Sequence, residues 1–344
     1  ESRVRAIMPS QVLPGEHTVL HGYDMDGDVH RLSVTTRTAP FHMGMGFAHT
    51  TRGALGESDR HFDEGTRVLR HRFRFQTTAG EPVAVEKQGC FHVGHKDKMP
   101  DAEPVDRAAD GAREAAAAGF DVLVNEQTAQ WSDLWGSLDI HIGGNDRDQQ
   151  GVRLSLFHLA QSLPDAGDRS VGANGLTGDK YCGHVFWDTE MYISPAFAYT
   201  RPEMVRPLLD YRYGLLDRAR QRAAEMGGKG ALYAWNSTSG EECGVVFEAS
   251  TAEYHLLSAI AHAIHRYVAQ CGDEEFLFAK GAEILFETAR FLFDLGECIP
   301  ARNGRFCLNV VCGPDEYGCG VNNNCYTNMM ARWHFRYAAS VYDR

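Results

Sequence analysis

Along the first hundred positions apolar and polar residues follow strand-like patterns with no helical period, and helical spacing then takes over to the end of the chain. Val29 to Thr36 reads as a strand leaving Asp26-Gly27, a dipeptide that favours a tight hairpin turn. His71 to Thr77 and Pro82 to Glu86 flank Ala79-Gly80 in the same style, which predicts a second hairpin. At Asp101 the composition changes abruptly. The stretch DAEPVDRAADGAREAAAAG is acidic and alanine-rich, as in a linker or linker helix.

Capping chemistry marks several helix starts beyond that point. Thr200 with Glu203 three residues on, and Pro202 in the first turn, predicts a capping box ahead of a helix through Leu215. Ser250 with Glu253 predicts another, ahead of a helix that carries Leu256, Leu257, Ile260, Ile264, Tyr267 and Val268. Asp273 is expected to cap the next, whose buried face is Ile284, Leu285, Phe291 and Leu292. Roughly six helices are expected between Gln149 and Arg344. Strands and helices do not alternate, which argues against a doubly wound sheet, so the expected architecture is a β domain followed by a helical one.

Charge narrows the partners. Lys+Arg 34 against Asp+Glu 46 gives a formal charge of −12, which repels nucleic-acid backbones and anionic membranes, so neither is expected as a partner. No apolar run is long enough to span a bilayer and the amino terminus lacks the apolar core of a signal peptide. Nine cysteines, an odd number, suggest free thiols in a reducing compartment, with the cytoplasm as the default. The missing initiator methionine suggests a processed, trimmed or partial chain.

Several motifs fail on inspection. Asp24, Asp26 and Asp28 alternate like a calcium loop but lack its glycine and closing glutamate. GLTGDK places Asp179 between the last glycine and the lysine, and no Ser or Thr follows, so it is not a phosphate loop. Gly44-Met45-Gly46 lacks a third glycine. His262 and His265 lie one helical turn apart without an HExxH frame, and are expected to pack. Cys298, Cys307, Cys312, Cys319 and Cys325 contain no CxxC pair, so no metal site is expected.

Three segments do combine core-type aromatics with carboxylates. They are Gly183 to Glu190 (GHVFWDTE), Tyr233 to Ser237 continuing to Glu242, and Gly313 to Tyr317 (GPDEY) followed by Asn322, Asn323 and Asn324. A sugar presents an apolar ring face and a rim of hydroxyls. A flat aromatic covers the face, while carboxylates and amides accept hydrogen bonds from the rim. A carboxyl group enclosed by aromatics also has its pKa raised, as a general acid requires. The chemistry therefore points to a carbohydrate-active site, the alternative being that these segments only cap helices.

GLTGDKYCGHVFWDTE, YTRPEMVRPLLDYRY, GDEEFLFAKGAEILFETARF and GPDEYGCGVNNNCYTN together resemble glycoside hydrolase family 65, strongly from about Trp131 onward. The resemblance implies part of an amino-terminal β-sandwich at 1–100, a helical connector at 101–148, and at 149–344 about the first half of an (α/α)6 barrel. It makes Glu316 the general acid, and gives Trp187 and Asp188 the donor glucosyl unit. Trp235, Glu241, Glu242 and Asn323 are the further substrate-binding candidates. The activity implied is inverting phosphorolysis of an α-glucosyl disaccharide to β-glucose 1-phosphate, with inorganic phosphate as co-substrate and no cofactor or metal. The alternatives are an inverting α-glucosidase that hydrolyses the same linkage with water, or an inactive or partner-dependent fragment that only binds sugar. Homodimers are common in the family. Gly318 stands where the family often has His, and Asn322 where it often has Asp. The residues that decide between phosphate and water are expected beyond Arg344.

Overall fold

The structure is a computed structural model that describes residues 2–3, 18–37, 41–66, 68–95, 102–176, 180–244, 251–315 and 317–344. It divides into two compact units, Glu1–Gly136 and Ser137–Arg344. Among the described residues, strands predominate in the first and helices in the second.

The strands of the first unit are β1 (Ser2–Arg3), β2 (Thr18–Asp26), β3 (Val29–Thr36), β4 (Phe41–Arg52), β5 (Leu55–Asp63), β6 (Val68–Phe75) and β7 (Ala84–His95). They form two antiparallel sheets, in the orders β1-β6-β5 and β2-β3-β4-β7. Asp26 pairs with Val29, and Gly27 has φ 59°, so Asp26-Gly27 makes the expected turn. The pattern around Ala79-Gly80 has a different outcome. β6 and β7 flank it without pairing; β6 joins β1 and β5, whereas β7 pairs along its twelve residues with β4. A full-length ladder with β4 outcompetes a short hairpin whose second arm begins at Pro82, a residue with no N–H to donate.

Alternation sorts the side chains of the four-stranded sheet. Leu32, Val34, Met45 and Phe47 share an apolar cluster with Leu69 of β6, so the two sheets meet there. Val29 and Ala48 point the other way and pack with Ala109 and Ala112 of helix α1 (Glu103–Ala118). The alanine-rich stretch is thus a helix laid on a sheet. Gly44 and Gly46 explain how it lies so close, since a methyl group at Gly44 would strike the Pro104 carbonyl and one at Gly46 the Ala108 carbonyl. Gly46→Ala should therefore cost roughly 3 kcal/mol. The check is a thermal melt of the chain, where a midpoint within a degree of wild type would sink the prediction.

Helix α2 (Phe120–Leu138) is followed in the second unit by α3 (Asp146–Ser162), α4 (Ser194–Ala198), α5 (Arg206–Gly214), α6 (Leu216–Glu225), α7 (His255–Cys271), α8 (Glu274–Phe276), α9 (Ala282–Leu295) and α10 (Cys325–Tyr342). A small hairpin of β8 (Glu297–Ile299) and β9 (Arg305–Cys307) precedes α10. Leu256, Leu257, Ile260 and Ile264 of α7 are buried with Ile284, Leu285, Phe291 and Leu292 of α9, as the periodicity predicts. His334 of α10 sits fully buried among them, its ring nitrogens within 3.4 Å of the Ser258 and Thr288 hydroxyls, and burial lowers its pKa to about 4. His262 and His265 pack on Trp333.

Asp273 caps as expected, its Oδ1 accepting from the Phe276 N–H at 2.9 Å. The capping box at Thr200 does not form. Thr200 donates its hydroxyl back to the Ala196 carbonyl, and the segment opens as a tight turn at Pro202–Met204 before α5. Ser250 lies outside the described residues, while Glu253 faces His255, and Tyr254 precedes α7 with no side-chain cap. Among the described residues no helix is long and apolar enough to cross a membrane.

Candidate active site

The segment before α4 and the one before α7 are tied by backbone. Val185 N–H donates to the Ser237 carbonyl at 3.0 Å, and Ser237 N–H returns a bond to Val185 at 3.2 Å. The Phe186 and Trp235 rings meet edge to face across this bridge, with centroids 5.1 Å apart. Trp187 extends the cluster to the start of α10, as its ring lies 6.2 Å from Tyr326 and 4.7 Å from His255, and His255 lies 5.2 Å from Tyr326. The structure thus brings together the first two segments that the aromatic-plus-carboxylate pattern selects, and sets Trp187 against Tyr326, two residues beyond Asn324.

Trp187 and Trp235 are buried and Asp188 is exposed at the turn into Thr189–Ile193. Beneath them runs an ion pair that the sequence gives no sign of. Glu190 and Arg212 are both buried and doubly bonded, at 2.7 and 3.0 Å, and Arg212 also donates to the Phe186 carbonyl at 3.4 Å. Arg212 in turn is seated by Tyr233, whose hydroxyl donates to the Arg212 carbonyl at 2.8 Å. The Phe186-Trp187 turn therefore rests on a charged, hydrogen-bonded base.

The second segment is folded by Glu242. Its carboxylate accepts from the backbone N–H groups of Trp235, Asn236 and Gly244, at 2.8, 3.3 and 3.2 Å, and pairs with Arg222 at 2.6 Å. Both oxygens are engaged in holding the loop. Glu241 faces outward and pairs with Arg218 at 3.0 Å. The Trp235 indole N–H and the Asn236 side-chain oxygen are buried with no hydrogen-bond partner, as is one Glu253 oxygen. Buried polar atoms left open beside an aromatic cluster are what a bound hydroxyl would satisfy. Burial pulls the pKa of nearby His184 down, against an opposing pull from the Glu242 charge.

Glu316 lies outside the described residues; its neighbours form a closed loop. Val311 and Val321 pair in an antiparallel bridge, and Gly313 N–H donates to the Gly318 carbonyl at 3.1 Å. Cys312 N–H ties this loop to the Ala252 carbonyl at 3.0 Å, immediately before Glu253-Tyr254. Gly313 leaves room for the Asn324 amide, which a Cβ would approach to 2.7 Å, and Asn324 caps α10 by accepting from Thr327 N–H at 3.1 Å. Asn323, at φ 57°, donates to Asn309 at 3.3 Å and accepts from Asn328 at 3.1 Å, so it braces the turn into α10.

The expectation of free thiols needs correction here. Cys312 and Cys319 are joined in a disulfide, their Cα atoms 4.0 Å apart, because the hairpin returns the chain on itself between them. Among the described residues, Cys90, Cys271, Cys298, Cys307 and Cys325 are free. Closing so short a loop is worth about 2.5 kcal/mol on the chain-entropy estimate. Urea unfolding should accordingly shift to lower midpoint when reductant is added. A Cys312→Ser, Cys319→Ser chain should ignore reductant, and a wild-type midpoint equally indifferent would refute the contribution.

Comparison with known proteins gives a consistent result. The family model described as glycosyl hydrolase family 65 central catalytic domain matches residues 153–344, and that described as the family's N-terminal domain matches residues 5–134. An α,α-trehalose phosphorylase of Thermoanaerobacter brockii is 47% identical over 226 residues, 66% of this chain and 29% of that protein. A kojibiose phosphorylase of Halothermothrix orenii is 39% identical over 299 residues, 81% of this chain and 38% of that protein. A maltose phosphorylase of Bacillus subtilis is 32% identical over 304 residues, 87% of this chain and 39% of that protein. The chain thus spans between 29% and 39% of the length of these relatives. A solved chain provisionally described as a kojibiose phosphorylase from the human microbiome superposes with a TM-score of 0.87 at 26% identity, over 96% of this chain and 43% of that one.

Proposed function

Because the chain belongs to glycoside hydrolase family 65, we propose that it supplies the acid-bearing part of an inverting α-glucoside phosphorylase, its helices forming part of an (α/α)6 barrel. The observation that carries this reading is the convergence of Phe186-Trp187, Trp235-Asn236 and Tyr326, with the Glu316 loop tied back to Ala252. The relatives named above, phosphorylases of three different α-glucosides, support the same chemistry.

In this reading Trp187 covers the apolar face of the donor glucosyl ring and Asp188 accepts from its hydroxyls. Trp235, Glu241 and Asn323 face the acceptor side, and Glu242 shapes that side by holding the Trp235 loop. Glu316 gives its proton to the glycosidic oxygen while a phosphate oxygen attacks the anomeric carbon from the opposite face. The glycosidic bond breaks as the new C–O–P bond forms. The α-glucoside becomes β-glucose 1-phosphate, and the acceptor leaves as a neutral alcohol. Phosphate is already an anion, so no protein base is required, and no metal or organic cofactor takes part. The cytoplasm is the proposed compartment, where the thiol poise would decide how much of the Cys312–Cys319 bond persists.

The test is turnover of trehalose, kojibiose, nigerose and maltose by the purified protein, with and without phosphate. Glucose 1-phosphate formed from one of them only when phosphate is present is the expected result. Glucose released at the same rate in both buffers would replace phosphorolysis by hydrolysis. No turnover in either, with disaccharide binding intact, would reduce the chain to a sugar-binding module.

A further inference from the structure

The β unit holds a cluster of nitrogen donors that the proposed phosphorolysis does not use. His30 of β3, His49 of β4 and His71 of β6 each offer one ring nitrogen, and the three lie within 4.8 Å of one another. Strand alternation puts them there. His30 has the parity of Leu32 and Val34, His49 that of Met45 and Phe47, and His71 that of Leu69, all members of the cluster between the sheets. His30 is fully buried and stands opposite Phe47, which places His49 one pair further along the same face. His71 reaches in from the other sheet.

The spacing has a specific meaning. His71 Nδ1 is 3.3 Å from His30 Nε2 and 3.4 Å from His49 Nδ1. An ion with tetrahedral ligands at about 2.0–2.1 Å separates neighbouring nitrogens by about 3.3–3.4 Å. We propose that His30, His49 and His71 form a three-imidazole site for a divalent transition metal of the zinc type, completed by a water molecule, that staples the two sheets together.

The surroundings support the assignment and show what loading requires. His30 Nδ1 lies 2.9 Å from the Tyr23 hydroxyl, which fixes the ring with Nε2 turned to the cluster. Phe73 packs on His71 with centroids 3.9 Å apart and on His49 at 5.7 Å, walling one side with an apolar ring. On β5, directly across from His71, Arg60 donates from Nε to His71 Nε2 at 3.2 Å. With Nε2 accepting, a neutral His71 carries its proton on Nδ1, facing two other ring nitrogens. Metal binding reverses this tautomer, so the proton moves to Nε2 and the Arg60 side chain must withdraw. Asp28 is 3.7 Å from Arg60 and is placed to receive it. Arg60 is thus a gate on the site.

The untagged chain, stripped with chelator, would be titrated with Zn²⁺ against a chromophoric competitor and with Co²⁺ in the visible range. One equivalent should bind, Co²⁺ should give the intense visible bands of tetrahedral coordination, and saturating Zn²⁺ should raise the melting midpoint by roughly 3 °C or more. His49→Phe and His71→Gln should each weaken binding by about tenfold or more. Arg60→Gln should strengthen it, because the donor aimed at His71 Nε2 is replaced by a group that can accept. Should His71→Gln fail to fold, Arg60→Gln still decides, since it keeps all three ligands. Absence of stoichiometric binding, retention of affinity in His49→Phe, or indifference to Arg60→Gln would each overturn the proposal.

Discussion

Glu316→Gln is expected to lower turnover of the preferred α-glucosyl disaccharide by phosphate by roughly 10²- to 10⁴-fold, with little change in KM. The amide keeps the shape of the side chain and removes only the proton that the departing oxygen needs. The loss should depend on that oxygen's basicity. A glucosyl donor whose leaving group departs as a stable anion, such as α-glucosyl fluoride, needs no proton and should retain most of its rate in the variant. Equal losses on the disaccharide and the fluoride would show that Glu316 acts through binding or folding, and the assignment would fall. The closed loop around position 316, tied by Val311–Val321, Gly313–Gly318 and the disulfide, makes a folding defect the less expected cause of a large effect.

The largest loss of stability is expected from Arg212→Met, about 3–5 kcal/mol. The substitution leaves the buried Glu190 carboxylate without its two charged hydrogen bonds and strips the Phe186 carbonyl of a donor. The damage should come from the abandoned charge rather than from lost attraction alone. Replacing both partners, Glu190→Leu with Arg212→Met, should therefore recover much of the stability that the single change removes. Urea unfolding of the two singles and the double gives the coupling directly. A double variant as unstable as the sum of the singles would show the pair to be independent. Any recovered protein should still bind disaccharide poorly, because the turn that carries Trp187 and Asp188 has lost its base.

Local patterns carried the architecture further than the pairing. β3 is legible because alternation over Val29–Thr36 and the Asp26-Gly27 turn are both short-range signals. The partner of β7 is not, since it is chosen by a ladder with a strand some forty positions earlier. Caps divide in the same way. Asp273 needs only the backbone three residues on, whereas Thr200 had a competing acceptor in the preceding turn at Ala196. At the candidate site, pairing aromatics with carboxylates selected two segments that the fold joins at Val185 and Ser237, because sugar chemistry demands both in one place. It could not tell a carboxylate that faces a ligand from one that folds a loop, and Glu242 bonds three backbone N–H groups. Glu190–Arg212 and the three histidines escape sequence reading because each joins residues about twenty or more positions apart with no fixed spacing.

The close seating of α1 on β4 has a consequence for how this sequence can drift. Gly44 and Gly46 face the helix backbone while Met45 between them faces the opposite sheet. Substitutions should therefore accumulate at the middle position, among apolar residues of similar size, and be purged at both flanks. The pattern to look for in distant sequences is a glycine pair bracketing one apolar residue on a strand, followed about sixty positions later by a proline and then small residues at Ala108, Ala109 and Ala112. A chain that lost either glycine could keep its fold only by lifting the helix, and the small alanines on the helix's sheet-facing side would then have to grow to fill the gap.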